Sequence, residues 1–144
     1  MHLTIFDNRI HLDVKGCEMI SFKLLMAMKA LLSVLVGIPV LVAPRFFFGF
    51  MGVTVSPEGI MPVWQYGASV IGNALVTWFG RDAKESKARR AIIMGMVAYN
   101  GIGFIVVMIA TLTGVTNLLG WLGAAVYLFF TVGFGYYWLK PPTP

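Results

Sequence analysis

Residue types able to do chemistry are few in this chain, and they are scattered. His2, His11, Asp13 and Cys17 are the one group of potential metal ligands close together in sequence, and their spacing matches no ligand motif. The single Cys17 leaves no intramolecular disulfide and no CxxC pair. Three acids flank apolar runs and read as helix-end partners rather than as acid–base groups. Glu58 follows Ser56-Pro57, a helix-start signal, Asp82 stands in a basic run, and Glu85 precedes Arg89 by four residues in the favourable order for an ion pair. No histidine or carboxylate lies inside any long apolar run, which excludes a bis-histidine haem and a carboxylate proton relay there. Nor is there a Ser–His or Cys–His arrangement, or a glycine-rich phosphate loop. The reading is of a non-enzyme with no catalytic residue, no metal and no cofactor.

Polar groups inside the apolar runs are Lys29, Gln65, Asn73, Asn100 and a few hydroxyls. Asn73 lies eight residues before Arg81 and Asn100 ten after Arg90. At 1.5 Å per helical residue these depths are about 12 Å and about 15 Å, within one turn of each other. An interhelical hydrogen bond or shared water between the two amides is expected, with Tyr99, Tyr127 and Thr77 extending the strip. Lys29 has no carboxylate to pair with inside the apolar layer, so it is expected to snorkel back to the headgroups beside Lys23.

The elements that carry these groups follow from hydropathy. The chain has 144 residues, 58% of them hydrophobic and 12% charged, with net charge +5. Its mean hydropathy is +0.82 and its pI about 9.6. Soluble domains carry about twice that share of charge. The one dense charged patch is GRDAKESKARR at 80–90, with Arg81, Lys84, Lys87, Arg89 and Arg90 between membrane-length apolar segments. Such a patch is a loop joining two antiparallel membrane helices, and not a nucleic-acid surface.

Four spans result, at 24–43, 60–79, 91–113 and 118–139, each long enough for a hydrocarbon core of about 30 Å. The expected fold is all-α: a polytopic up-down-up-down four-helix membrane bundle over 23–140. A cytoplasmic extension over 1–22 precedes it and a tail over 141–144 follows. Within the extension, Ile10, Leu12 and Val14 alternate with polar residues, which suggests a small hairpin. The competing readings are disorder, or a true start at Met19. The first apolar run has a basic lead-in, but VAPRFFF is a poor cleavage site, so the run is expected to be retained rather than removed as a signal peptide.

Pro39 is expected to kink the first span, and Phe46–Met51 to lie along the headgroup boundary. Gly114 and Thr116 or Asn117 supply stop and start signals between the last two spans, and Gly101 and Gly103 suggest a bend. Trp64, Trp78, Trp121 and Trp138 all fall at span ends, where tryptophan anchors at the interface. Small residues recur at packing spacing in the pairs Ala68–Gly72, Ala91–Gly95, Gly120–Ala124 and Thr131–Gly135. With the amino terminus inside, ten basic residues face inward against Arg45 outside, placing both termini in the cytoplasm.

Trp121-Leu-Gly, Gly133-Phe-Gly-Tyr-Tyr and the hairpin Trp78-Phe-Gly-Arg81…Ala88-Arg89-Arg90-Ala91 resemble small four-helix bacterial integral membrane proteins of uncharacterised activity, over residues 24–139. The resemblance implies a bacterial origin, and with it the inner (cytoplasmic) membrane, and brings no activity. Small multidrug-resistance transporters carry a glutamate in their first span, where this chain has Lys29. The functional expectation is a structural or accessory subunit that packs beside other membrane subunits or a second copy. The alternative is a small dimeric transporter or channel with an uncharged path through Gln65, Asn73, Tyr99 and Asn100. The basic loop residues Arg81, Lys84, Lys87, Arg89 and Arg90 are candidates for contact with anionic lipid.

Overall fold

The computed structural model describes residues 21–140, so the hairpin reading, the ligand scatter at 2–17 and the tail fall outside the described residues. The described chain is helical: α1 Phe22–Val42, α2 Pro44–Phe50, α3 Ile60–Gly80, α4 Lys87–Leu112 and α5 Leu119–Leu139. Three of these, α1, α4 and α5, are long and apolar enough to cross a membrane. The fourth long helix, α3, has the same 21-residue length as α1. Gln65, Ser69, Asn73 and Thr77 make it more polar.

Local signals explain the ends. Ser21 caps α1 by accepting the Leu24 N–H at 3.3 Å, and Ser86 caps α4 by accepting the Arg89 N–H at 3.1 Å. That second cap starts α4 one turn earlier than hydropathy suggests, so Lys87–Arg90 belong to the helix and not to the loop. Ser56 does not cap α3. It accepts the Gly59 N–H at 3.2 Å and staples the turn before it. α1 runs through Pro39 to Val42, and the Ala43 N–H closes on the Pro39 carbonyl at 2.8 Å.

Gly114, at φ 74, ends α4 in the left-handed region that glycine reaches without a Cβ penalty. Asn117 starts α5: its Oδ1 accepts the Leu119 N–H at 2.9 Å. The same side chain donates to the Phe50 carbonyl at 2.7 Å, tying the end of α2 to the α4–α5 turn.

Two tight antiparallel pairs form the body. α1 lies on α3, with Gly37 facing Ile71, Gly67 facing Leu41 and Gly80 facing Met26. α4 lies on α5, with Gly101 facing Thr131, Gly103 facing the Tyr127 ring and Val107 facing Gly123. In both pairs one number rises as the other falls, which defines the antiparallel register. α4 runs unbroken through Gly101 and Gly103, and the missing side chain at Gly103 admits the Tyr127 ring. The pairs meet at the end nearer the basic loop, where Phe22, Leu25, Met26, Ile93, Met96, Phe130 and Phe134 form the core.

Of the four small-residue motifs, Gly120 and Ala124 are buried, Gly120 against Thr111 of α4 and Thr116 of the turn that follows it. Gly72, Gly95 and Gly135 would meet nothing within 4 Å of an added Cβ, so these glycines do not join helices inside the chain. Large apolar side chains point outward along every long helix, among them Leu31, Phe79, Ile102 and Leu122, as lipid or a protein neighbour requires.

Candidate functional site: a lysine bolted across the two helix pairs

The stripe of α1 that turns inward is Phe22, Leu25, Met26, Lys29, Ala30, Ser33, Gly37 and Val40, at helical spacing. Lys29 sits on it and is 5% exposed. The expectation that it snorkels is overturned. Its Nζ crosses the bundle and donates to Asn100 Oδ1 at 2.7 Å. Three aromatic rings surround the amine, with Nζ 4.9 Å from the Phe130 centroid, 5.4 Å from Tyr99 and 5.5 Å from Tyr127.

The physical reason is local compensation. A charged group at mid-membrane costs about 2.5–3.5 kcal/mol on insertion scales. One charge-assisted hydrogen bond and several cation–π contacts, each about 0.5–2 kcal/mol, offset that cost without the side chain leaving the core.

Asn100 is fully buried, and its other polar atom, Nδ2, donates to the Met96 carbonyl at 2.7 Å. Its side-chain bonds therefore go to Lys29 and to its own helix, and not to Asn73. Chain adjacency suggested α3 as the neighbour of α4, whereas α3 pairs with α1 and the polar reach of α4 is toward α1. Asn73 is half-buried, and its backbone carbonyl accepts the Thr77 hydroxyl at 2.7 Å. The Tyr99 hydroxyl is buried, with the Asn73 and Tyr127 side chains as its polar neighbours. A second cross-pair link joins the Tyr66 and Tyr127 hydroxyls at 3.0 Å, from α3 to α5. Lys29–Asn100 and Tyr66–Tyr127 thus connect the two pairs through the middle of the molecule. Sequence reasoning found Asn100, Tyr99 and Tyr127 and missed Lys29 as their partner. The stripe it shares with Ser33 and Gly37 was the available signal.

The basic end is a second polar constellation. The Arg81 guanidinium lies 3.5 Å over the Trp78 ring, Arg89 4.0 Å over Phe22 and Arg90 5.1 Å over Trp138. Two of the four tryptophans expected at the interfaces therefore carry an arginine, while Trp64 and Trp121 stand at the other end, each about half exposed. Arg89 also pairs with Glu85 at 2.8 Å, the expected i,i+4 bridge, and its buried Nε has no hydrogen-bond partner. Lys84 and Lys87 are exposed. The five basic residues proposed for lipid contact are thus divided: three arginines lie against aromatic rings and two lysines project outward.

Lys23 reaches Asp82 at 2.7 Å and ties the start of α1 to the loop. The hydrogen bond from Lys23 holds the Asp82 carboxyl below the usual carboxylate range. Its folded pKa lies below the unfolded one, so its contribution is present at neutral pH and is lost as pH falls through the folded value. Thermal unfolding followed from pH 7 toward about pH 3 should lower the melting temperature of the wild type slightly more than that of Asp82→Asn. Equal acid sensitivity of the two chains would remove the bridge from the account. No protein-family model, curated protein or solved structure matches this chain.

Proposed function

We propose that the chain is a non-catalytic accessory or structural subunit of a bacterial inner membrane, built as an up-down-up-down bundle of four spans with both termini cytoplasmic. One observation carries this reading: the internal cation is bonded within the protein, from Lys29 to Asn100, while large apolar residues face outward on every long helix and open glycines lie on α3, α4 and α5. The interior then works as a bolt, and the outer faces are what remains to meet partners. The open glycines Gly72 and Gly95 favour a helix of another subunit or a second copy, since a missing side chain lets backbones approach closely in lipid. The excess of basic residues at the end that carries the 80–90 loop supports the orientation.

The test is a photo-reactive residue placed at Phe79 or Ile102, both outward-facing, and irradiated in native membranes. Discrete protein crosslinks are expected. Crosslinking to lipid alone at both positions would remove the subunit reading.

A second reading has its own observation. Lys29 is a cation within the bundle beside the Tyr99 ring, and the buried Tyr99 hydroxyl has the Asn73 and Tyr127 side chains as polar neighbours, a polar interior such as a path for an anionic or carbonyl-bearing substrate would need. Reconstituted flux that disappears in a folded Tyr99→Phe variant would favour transport over the subunit reading.

A further inference from the structure

The end of the molecule opposite the basic loop holds one basic side chain among the described residues, Arg45. α1 spans 21 residues from the basic end, about 31 Å of rise, so Arg45 stands at the far interface of a membrane. It lines an open pocket of about 540 Å³ with Ala43, Pro44 and Phe46 from the α1–α2 corner and Ile60 and Trp64 from the start of α3. No acid lines this pocket, and Arg45 forms no ion pair among the described residues. Glu58, the acid nearest in sequence to the α3 start, is exposed and takes its hydrogen bonds from its own backbone and from Ser56. Beside the pocket, Phe46 and Phe50 are largely exposed and packed edge to face at 4.8 Å, a wedge suited to the acyl boundary.

We propose that this pocket holds the phosphate and glycerol of an anionic phospholipid in the leaflet opposite the basic loop. The Arg45 guanidinium presents a planar fork of donors to two phosphate oxygens. The indole N–H of Trp64, on a half-exposed ring, donates toward the phosphate–ester region, as interfacial tryptophans do. Phe46 and Ile60 then cover the first acyl carbons. Charge selects the lipid class: a choline or ethanolamine headgroup would bring a second cation toward Arg45 with no carboxylate to receive it, whereas a glycerol headgroup brings none. The proposal rests on the chain crossing a membrane, and not on its being an accessory subunit.

The experiment uses the full chain, purified in mild detergent and washed free of lipid. It is titrated with phosphatidylglycerol or phosphatidylcholine and read by native mass spectrometry. One tightly held phosphatidylglycerol is expected, with occupancy falling about tenfold in Arg45→Gln and partly restored in Arg45→Lys. The double variant Lys84→Gln, Lys87→Gln, at the opposite end, should keep that adduct. Glycerol 3-phosphate in excess should not displace it. Unchanged occupancy in Arg45→Gln, in a chain whose melting temperature is also unchanged, would overturn the proposal. Equal binding of phosphatidylcholine, or displacement by glycerol 3-phosphate, would overturn the assignment to an anionic lipid.

Discussion

Asn100→Leu is expected to destabilise the bundle by about 3 kcal/mol, more than any other single polar substitution in it. It removes the one hydrogen-bond acceptor of a lysine that is 5% exposed, and an orphaned buried charge costs more than an orphaned neutral group. Lys29→Met keeps the volume and leaves only a neutral carbonyl without its donor, at about 1–2 kcal/mol. Replacing both partners by apolar groups of similar shape removes the mismatch, so the double variant should be more stable than Asn100→Leu alone. Reversible unfolding of the four proteins in one detergent measures this directly as a double-mutant cycle. If the amine instead escaped to the headgroups, the two changes would simply add.

The second large effect is steric and lies between α4 and α5. A Cβ at Gly103 would fall onto the Tyr127 ring, 2.7 Å from Cδ1 and 2.9 Å from Cζ. That ring is held from its other sides by the Tyr66 hydroxyl and the Lys29 amine, so it has little room to retreat. Gly103→Ala should therefore cost about 1–3 kcal/mol, as overpacking does. Gly72→Ala and Gly95→Ala, where the same methyl meets open space within the chain, should gain about 0.5–1 kcal/mol from helix propensity in the chain separated from any companion. Melting temperatures of the three purified variants check the contrast. A neutral Gly103→Ala would mean that α4 and α5 are not in close contact there.

Much of the architecture was legible because the hydrophobic pattern is strong and its punctuation is local. The stretches 60–79 and 118–139 appear as the helices Ile60–Gly80 and Leu119–Leu139, of which the second is apolar enough to cross a membrane, and Gly114 with Asn117 marks the turn between α4 and α5 where glycine and asparagine chemistry demands one. The interior was harder for a physical reason. A lysine side chain is long enough either to reach the headgroups from one turn and a half down or to cross to a neighbouring helix. Depth alone cannot separate the two.

Which helix lies opposite depends on pairing. Adjacency in the chain suggested α3 beside α4, but the glycines at 37 and 67 seat α3 on α1, and Gly101, Gly103 and Gly123 seat α4 on α5. Once those pairs are set, Asn100 faces Lys29. The same pairing explains why Gly72 and Gly95, equal by spacing to the glycines that pack, stay on the outside.

The central claim is that the polar interior is structural and the outer faces meet partners. It is tested most directly by extracting the wild type and the Lys29→Met, Asn100→Leu double variant from native membranes in mild detergent. Size separation and mass spectrometry of whatever travels with each chain then give the answer. The account predicts the same companion, another subunit or a second copy, at the same stoichiometry for both. A wild-type chain that runs as a lone monomer, or a folded double variant that has lost its companion, would contradict it.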